Sequence, residues 1–361
     1  MASRSIRAGM TALALWALLG ASAFAEPTRV AHAHAQPSAE SLWQQGRQAA
    51  AHGSLDEAVR YYQLSLVKDP QRVSTLADLA GALADLERWD EAREAFERWL
   101  AHAPTDADAL NGLGYVHYRQ KRYGQAITFY RRALAQRDDP QFHLNLGLAL
   151  LGQERWGEAE DQFDATLSID PNSYWALNDR GYVLEQQGQL DDAADSYEAA
   201  CRVAKQDITA HLNFGGLLLE QSEPAEAAWI FRDALKRQER SADAHLGFAM
   251  SLDELGRPDE AYLETRVVLA LNPRNPSAFH LLAALEKERH HWANAIAAID
   301  RAIALDDHNA GYHLMRGQLL QADGRTRSAM ADYARYVALA PDEARNSEAA
   351  LALRIWRETG R

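Results

Sequence analysis

The sequence predicts an all-α array of about nine helix-turn-helix repeats, and three observations predict it. A 34-residue period runs through most of the 361-residue chain, alanine stands at the twentieth position of every period, and glycine or alanine stands at the eighth. Counted from Ala39, units start at 39, 73, 107, 140, 174, 208, 242, 276 and 310; the third is one residue short, and the ninth ends at 343. The eighth positions are Gly46, Ala80, Gly114, Gly147, Gly181, Gly215, Ala249, Ala283 and Gly317. The twentieth are Ala58, Ala92, Ala126, Ala159, Ala193, Ala227, Ala261, Ala295 and Ala329. Side chains this small let helices cross closely, so a first helix near positions 2 to 14 and a second near 18 to 30 form an antiparallel hairpin.

Ahead of the repeats lies an export address. Arg4 and Arg7 precede an apolar stretch from Ala8 to Gly20 and the small-residue run Ala21-Ser22-Ala23-Phe24-Ala25, the pattern of a secretory signal peptide over residues 1–25 cleaved before Glu26. The alternative is a retained membrane anchor, for which the stretch Ala8 to Ala25 is marginal in length and lacks a charged stop. No cysteine stands at the cleavage point, which argues against a lipoprotein. Residues 26–38 read as a flexible linker in which His32 and His34 are solvated rather than metal-bound.

Composition excludes several functions. With 51 acidic against 38 basic side chains and one cysteine, the chain is neither a disulfide scaffold nor a basic nucleic-acid binder. Loss of Arg4 and Arg7 with the signal moves the formal charge from −13 to −15, which repels phosphate backbones and anionic lipid.

Within each unit the turn chemistry agrees with a helix pair. Gly53, Gly188, Gly256 and Gly324 recur at position 15, where a first helix ends on a left-handed residue. Aromatic rings recur at position 24 as Tyr62, Phe96, Tyr130, Phe163, Tyr197, Phe231 and Tyr333, filling the space between units. Thr265 and Ile299 break that series, so looser packing is expected in units seven and eight. Pro70, Pro104, Pro171, Pro273 and Pro341 at position 32 stop the second helix. After Glu343, the face carrying Ala349, Leu353 and Trp356 suits a capping helix within residues 344–361.

Leu113, Gly114, Ala126, Tyr130 and Ala133 show the pattern most fully, and on these residues the chain resembles the tetratricopeptide repeat (TPR) family over residues 39–343. The resemblance implies a right-handed α-solenoid whose first helices line a concave protein-binding or peptide-binding face. It also implies that positions 2, 5, 6, 9, 12 and 13 face that groove. Those positions hold eleven carboxylates (Glu40, Asp78, Asp85, Asp108, Asp179, Glu185, Glu220, Asp243, Asp253, Glu254 and Glu288) against Arg47, Arg119 and Lys287.

The lysines and arginines of the family's carboxylate clamp are missing. Asn111, Asn145, Asn178 and Asn213 instead resemble the family's asparagine ladder, whose amides bond the backbone of an extended peptide. Tyr115, Tyr118, Trp175 and Tyr182 surround them as apolar anchors, with packing against the next repeat as the alternative. The expectation is a non-catalytic scaffold of the bacterial periplasm holding an extended basic or neutral peptide, assisting pilus, secretion or outer-membrane assembly. The second reading is an accessory protein of polysaccharide export or modification, with Trp175, Asn178 and Asp179 as a sugar platform.

Catalysis has no foothold in the sequence. It contains no phosphate-binding loop, nucleophile elbow or paired cysteine, and the repeats use up the folded length. No cofactor or metal is expected. His143, His211, His245 and His313 share the fourth repeat position but stand a repeat or more apart, which favours helix packing over a shared metal. Cys201 reads as a buried thiol.

Overall fold

The computed structural model describes residues 37–345 and 347–359; the signal and nearly all of the linker lie outside them. Every regular element among these residues is a helix. The chain divides into two compact units, residues 1–196 and 197–361, and each is taken by itself.

The first unit is a row of hairpins. α1 (Ala39–Ala51) pairs with α2 (Leu55–Lys68), α3 (Val73–Asp85) with α4 (Trp89–His102), α5 (Ala107–Arg119) with α6 (Tyr123–Leu134), and α7 (Pro140–Leu151) with α8 (Trp156–Ile169). α9 (Tyr174–Gln186) follows, and α10 (Leu190–Val203) carries the chain across the division. Each second helix packs on the next first helix, and α1, α3, α5, α7 and α9 also touch in succession, so the first helices form a continuous face.

In the second unit, α11 (Thr209–Glu220) pairs with α12 (Pro224–Arg237), α13 (Ala242–Glu254) with α14 (Pro258–Leu271), α15 (Pro276–Glu288) with α16 (Trp292–Leu305), and α17 (Ala310–Ala322) with α18 (Thr326–Leu339). A short α19 (Pro341–Ala344) leads to α20 (Glu348–Thr359), which lies on α18 and turns Ala349, Leu353 and Trp356 onto the core.

All nine alanines at position 20 are fully buried. The glycines at position 8 face something other than those alanines. A Cβ on Gly114 would stand 2.7 Å from the Tyr130 ring, and one on Gly147 would stand 2.6 Å from Phe163. The close approach is thus between glycine 8 and ring 24 of one hairpin. Some rings also reach the next hairpin: Phe96 closes on Gly112, and Phe231 on both Gly215 and Gly247. Ring and glycine form a lock whose shape tolerates no added methyl without repacking.

The turn between first and second helix is the same in all nine hairpins. Position 15 has positive φ at the four glycines, and also at Glu87, Lys121, Glu154, Ser222 and His290, with φ between 58° and 60°. Five residues therefore carry a left-handed backbone that only glycine adopts without cost. Before the prolines at position 32 the second helices end on non-helical caps such as Asp69, Ala103 and Asp170, with ψ of 87°, 77° and 87°, outside the helical region that a following proline disfavours.

Candidate functional site

Asn111, Tyr115, Tyr118, Asn145, Trp175, Asn178, Asp179 and Tyr182 all lie in the first unit, on α5, α7 and α9. Asn213 lies on α11 of the second unit and is half-buried there. Helical spacing puts Trp175, Asn178, Asp179 and Tyr182 on one face of α9.

The amides are already engaged with the protein. Asn145 is buried; its Nδ2 donates to Asn111 Oδ1 at 2.9 Å, and its Oδ1 accepts from Gln141 Nε2 at 3.0 Å. It therefore braces Asn111 on the neighbouring first helix and stands back from the surface, while Asn111 is half-buried and can be reached. Asn178 is also buried and donates from Nδ2 to Asp179 Oδ1 at 3.0 Å. Burial thus makes Asn145 and Asn178 supports for the groups beside them, while Asn111 and Asn213 are half-buried.

The rings divide in the same way. Tyr115 is buried, its hydroxyl accepts from Arg119 Nη1 at 2.8 Å, and Trp89 meets it edge-on at 6.0 Å, so it is part of the packing. Arg119 lies over the Trp89 ring at 4.6 Å and bonds Glu87, which removes it from the groove's free charge. Tyr118 and Trp175 lean on the core from the half-buried zone, and Trp175 sits edge-on to Tyr174 at 4.9 Å. Tyr182 is 38% exposed and is met edge-on by Trp156 at 6.3 Å. The pairs Trp89–Tyr115 and Trp156–Tyr182 share a 26-residue spacing, from position 17 of one unit to position 9 of the next, a signal the sequence carries in two repeat columns.

Charge on this face is less open than a count of carboxylates implies. Glu40 is paired with Arg72. Asp78 accepts from Trp43 Nε1 at 2.7 Å and faces Arg47, and Asp108 takes both terminal nitrogens of Arg137. Asp179 differs. The residue is half-buried, its Oδ2 is shielded from solvent, and that oxygen accepts no hydrogen bond. Burial pushes its carboxyl up to about 7, against the opposing effect of the Asn178 amide. Tyr118, on α5, is held up at about 12, chiefly by burial, with Tyr123 and then Asp179 adding their charge.

The four histidines at position 4 are explained by the hairpins. His143, His245 and His313 reach the second helix of their own hairpin 19 residues on, at Gln162 (2.8 Å), Glu264 (2.6 Å) and Asp332 (3.2 Å). Their other ring nitrogens bond the preceding loop, at the Asp138 side chain and at the carbonyls of Glu239 and Asp307. His211 faces Asp233 at 3.4 Å. Among the described residues no group of three or more His, Cys, Asp or Glu side chains is placed to hold a metal ion. Cys201 is buried, and burial pushes its thiol up to about 12, which suppresses the thiolate needed for reaction.

Family models described as tetratricopeptide repeat match residues 77–141, 135–174, 144–208 and 218–285, together more than half of the sequence. The chain belongs to the tetratricopeptide repeat family. Anaphase-promoting complex subunit 7 of Mus musculus is 27% identical over 127 residues, 35% of this chain and 22% of that protein. The chain thus spans about a fifth of the length of that relative. Among solved structures, the APC/C hetero-tetramer Cut9-Hcn1 superposes with a TM-score of 0.55 at 13% identity, covering 88% of this chain and 75% of the other. A tetratricopeptide repeat protein from Parabacteroides merdae gives 0.52 at 15% identity, covering 68% and 98%. At those identities the likeness is one of fold. Among the described residues no helix is long and apolar enough to cross a membrane.

Proposed function

We propose that the chain is a non-catalytic scaffold of the bacterial cell envelope that holds an extended, basic or neutral segment of another protein along α5, α7 and α9. The observation that carries this reading is the composition of that face. On the face shared by α5, α7 and α9, α5 presents Asn111 and Tyr118 and α9 presents Trp175, Asp179 and Tyr182, mixing half-buried and exposed rings with amide and carboxylate groups. Such a face gives apolar anchors a polar surround, the pattern that dominates interface energetics. Membership of a repeat family in which stacked hairpins form extended binding surfaces supports the scaffold role. The envelope assignment rests on residues 1–25, whose charge and apolar pattern are those of an export signal.

Crosslinking followed by mass spectrometry on the protein in its own cells tests both parts. Crosslinks should join α5, α7 or α9 to a segment of an envelope protein, and the mature N-terminus should be Glu26. The double substitution Trp175→Ala and Tyr182→Ala should abolish the crosslinks while leaving the helical spectrum unchanged. Partners captured by the second helices alone, or an N-terminus at Met1, would contradict the respective part.

A further inference from the structure

Between α18 and the terminal helix α20 lies a cavity of about 260 Å³ whose charged lining is all basic. Val337, Ala350 and Leu353 form its apolar wall, and Arg345, Arg354 and Arg357 stand around it. No residue of a first helix contributes, so it is separate from the face of α5, α7 and α9. α20 builds the cavity by register, because Ala350, Leu353, Arg354 and Arg357 follow at intervals of three and four residues along one stripe. All three arginines are exposed. Arg345 donates from Nη2 to Asp342 Oδ1 at 3.0 Å, a surface pair that holds it weakly and leaves its other N–H groups open. Arg354 and Arg357 have no hydrogen-bond or ion-pair partner among the described residues. Like charges so placed repel, yet no acidic side chain among the described residues lines the cavity, in a chain that holds 51 of them. Beside Arg354, on the next stripe of α20, Leu351 and Ile355 are exposed.

We infer that this cavity receives a glutamate or aspartate side chain from a segment of a partner protein, with an apolar neighbour of that residue resting on Leu351 and Ile355. The site belongs to the second unit, prefers the opposite charge, and does not depend on the role given to α5, α7 and α9. Three observations choose the ligand. Exposed guanidiniums match a carboxylate through paired N–H donors, and arginine is among the residues that dominate interface energetics. The volume falls just under the span of about 300 to 1,000 Å³ that encloses a whole small molecule, so the cavity takes one end group of something larger. Apolar surface adjoins the charge on wall and rim, which a free anion leaves bare and a peptide covers. An anionic bilayer fits less well. The net charge of −13 repels it, and α20 offers it Leu351 and Ile355 alone, since Ala349, Leu353 and Trp356 are spent on the core.

The test is selection from a random dodecapeptide display library on the full-length protein, with depletion on the double variant Arg354→Glu and Arg357→Glu, followed by calorimetry with the peptides that remain. Those peptides should share a glutamate or aspartate beside an apolar residue. Replacing that acid by its amide should weaken binding to the wild-type protein about tenfold or more, the range of one charge-assisted hydrogen bond. The double variant should bind the acid peptide no better than the amide. Equal binding of acid and amide peptides to the wild-type protein would overturn the inference, as would recovery of no peptide that tells the two proteins apart. Vesicles of phosphatidylglycerol and inorganic phosphate are tested alongside; arginine-dependent binding of either, without any such peptide, would overturn it in favour of a lipid headgroup or a free anion. Peptides held by α5, α7 and α9 bind both proteins and are removed by the depletion, so failure here leaves the first site standing. The acid-against-amide comparison uses the wild-type protein, so it decides the matter even if the variant folds poorly.

Discussion

In the first unit, position 24 of the four complete hairpins carries Tyr62, Phe96, Tyr130 and Phe163, all buried; in the second it runs Phe231, Thr265, Ile299, Tyr333. The consequences are visible in the cores. In the first unit one large apolar cluster extends from Ala49 to Val183, beside a small one joining Leu110, Ala133 and Phe142. The second unit holds separate clusters, one from Ala283 to Leu353, one of five buried residues around Leu252 and Leu281, and one joining Ile208, Ala234 and Ala244. Thr265 stands where a ring would bridge hairpins, fully buried, its hydroxyl returned to the Ala261 carbonyl of its own helix at 2.7 Å. A ring at position 24 therefore does two jobs, locking its own hairpin and joining it to the next, and a small polar residue does neither. The candidate binding face lies in the unit with the more extended apolar cluster, consistent with the need to hold a site rigidly.

Removing a ring should break the comparison most severely. Phe163→Ala should cost about 3–5 kcal/mol, whereas Thr265→Ala should cost about 1 kcal/mol, measured as shifts of the denaturation midpoint at constant slope. Gly147→Ala, whose Cβ would sit 2.6 Å from the Phe163 ring, should fall between them.

A smaller effect separates the units electrostatically. The Asp179 carboxyl is raised from 3.8 to about 7 on folding, so the native state holds a proton that the unfolded chain has released. Its contribution is fully present below pH 4 and is lost as pH rises toward 7. Asp179→Asn should therefore leave stability nearly unchanged near pH 4 and raise it above pH 7 by up to about 4 kcal/mol. Equal stability at both pH values would contradict the burial of an unpaired charge.

The smallest effect is common to both units. Glu87, Lys121 and Glu154 in the first and Ser222 and His290 in the second share the left-handed turn of Gly53 and Gly324. Each replaced by glycine should gain about 0.5–1 kcal/mol, nearly additively because the sites are far apart in the chain. Thermal melts of the five single variants would show whether the turn is equally strained in the two units.

These positions also show what was legible in the sequence. The repeat could be read because glycine, alanine and proline punctuate it at fixed intervals, and the hairpins follow from that punctuation. The turn at Glu87 or His290 could not be read, since those residue types carry no left-handed signal and are held there by the helices on either side. The contact of glycine 8 with ring 24 is a three-dimensional fact that spacing alone assigned to alanine 20. At the candidate site, residue types and positions were visible, but accessibility was not. Whether Asn145 faces a ligand or braces Asn111, and whether Asp108 is open or held by Arg137, depends on partners from other repeats. The unpartnered oxygen of Asp179 is the extreme case, because nothing in the residue itself records what fails to surround it.

Hydrogen exchange of the full chain, with and without the partner segment identified by crosslinking, addresses the binding face directly. Protection should rise on α5, α7 and α9, most of all around Trp175 to Tyr182, and leave the second helices unchanged. Protection confined to α2, α4, α6 and α8, or to the second unit alone, would contradict the assignment of the first-helix face as the place where a partner is held.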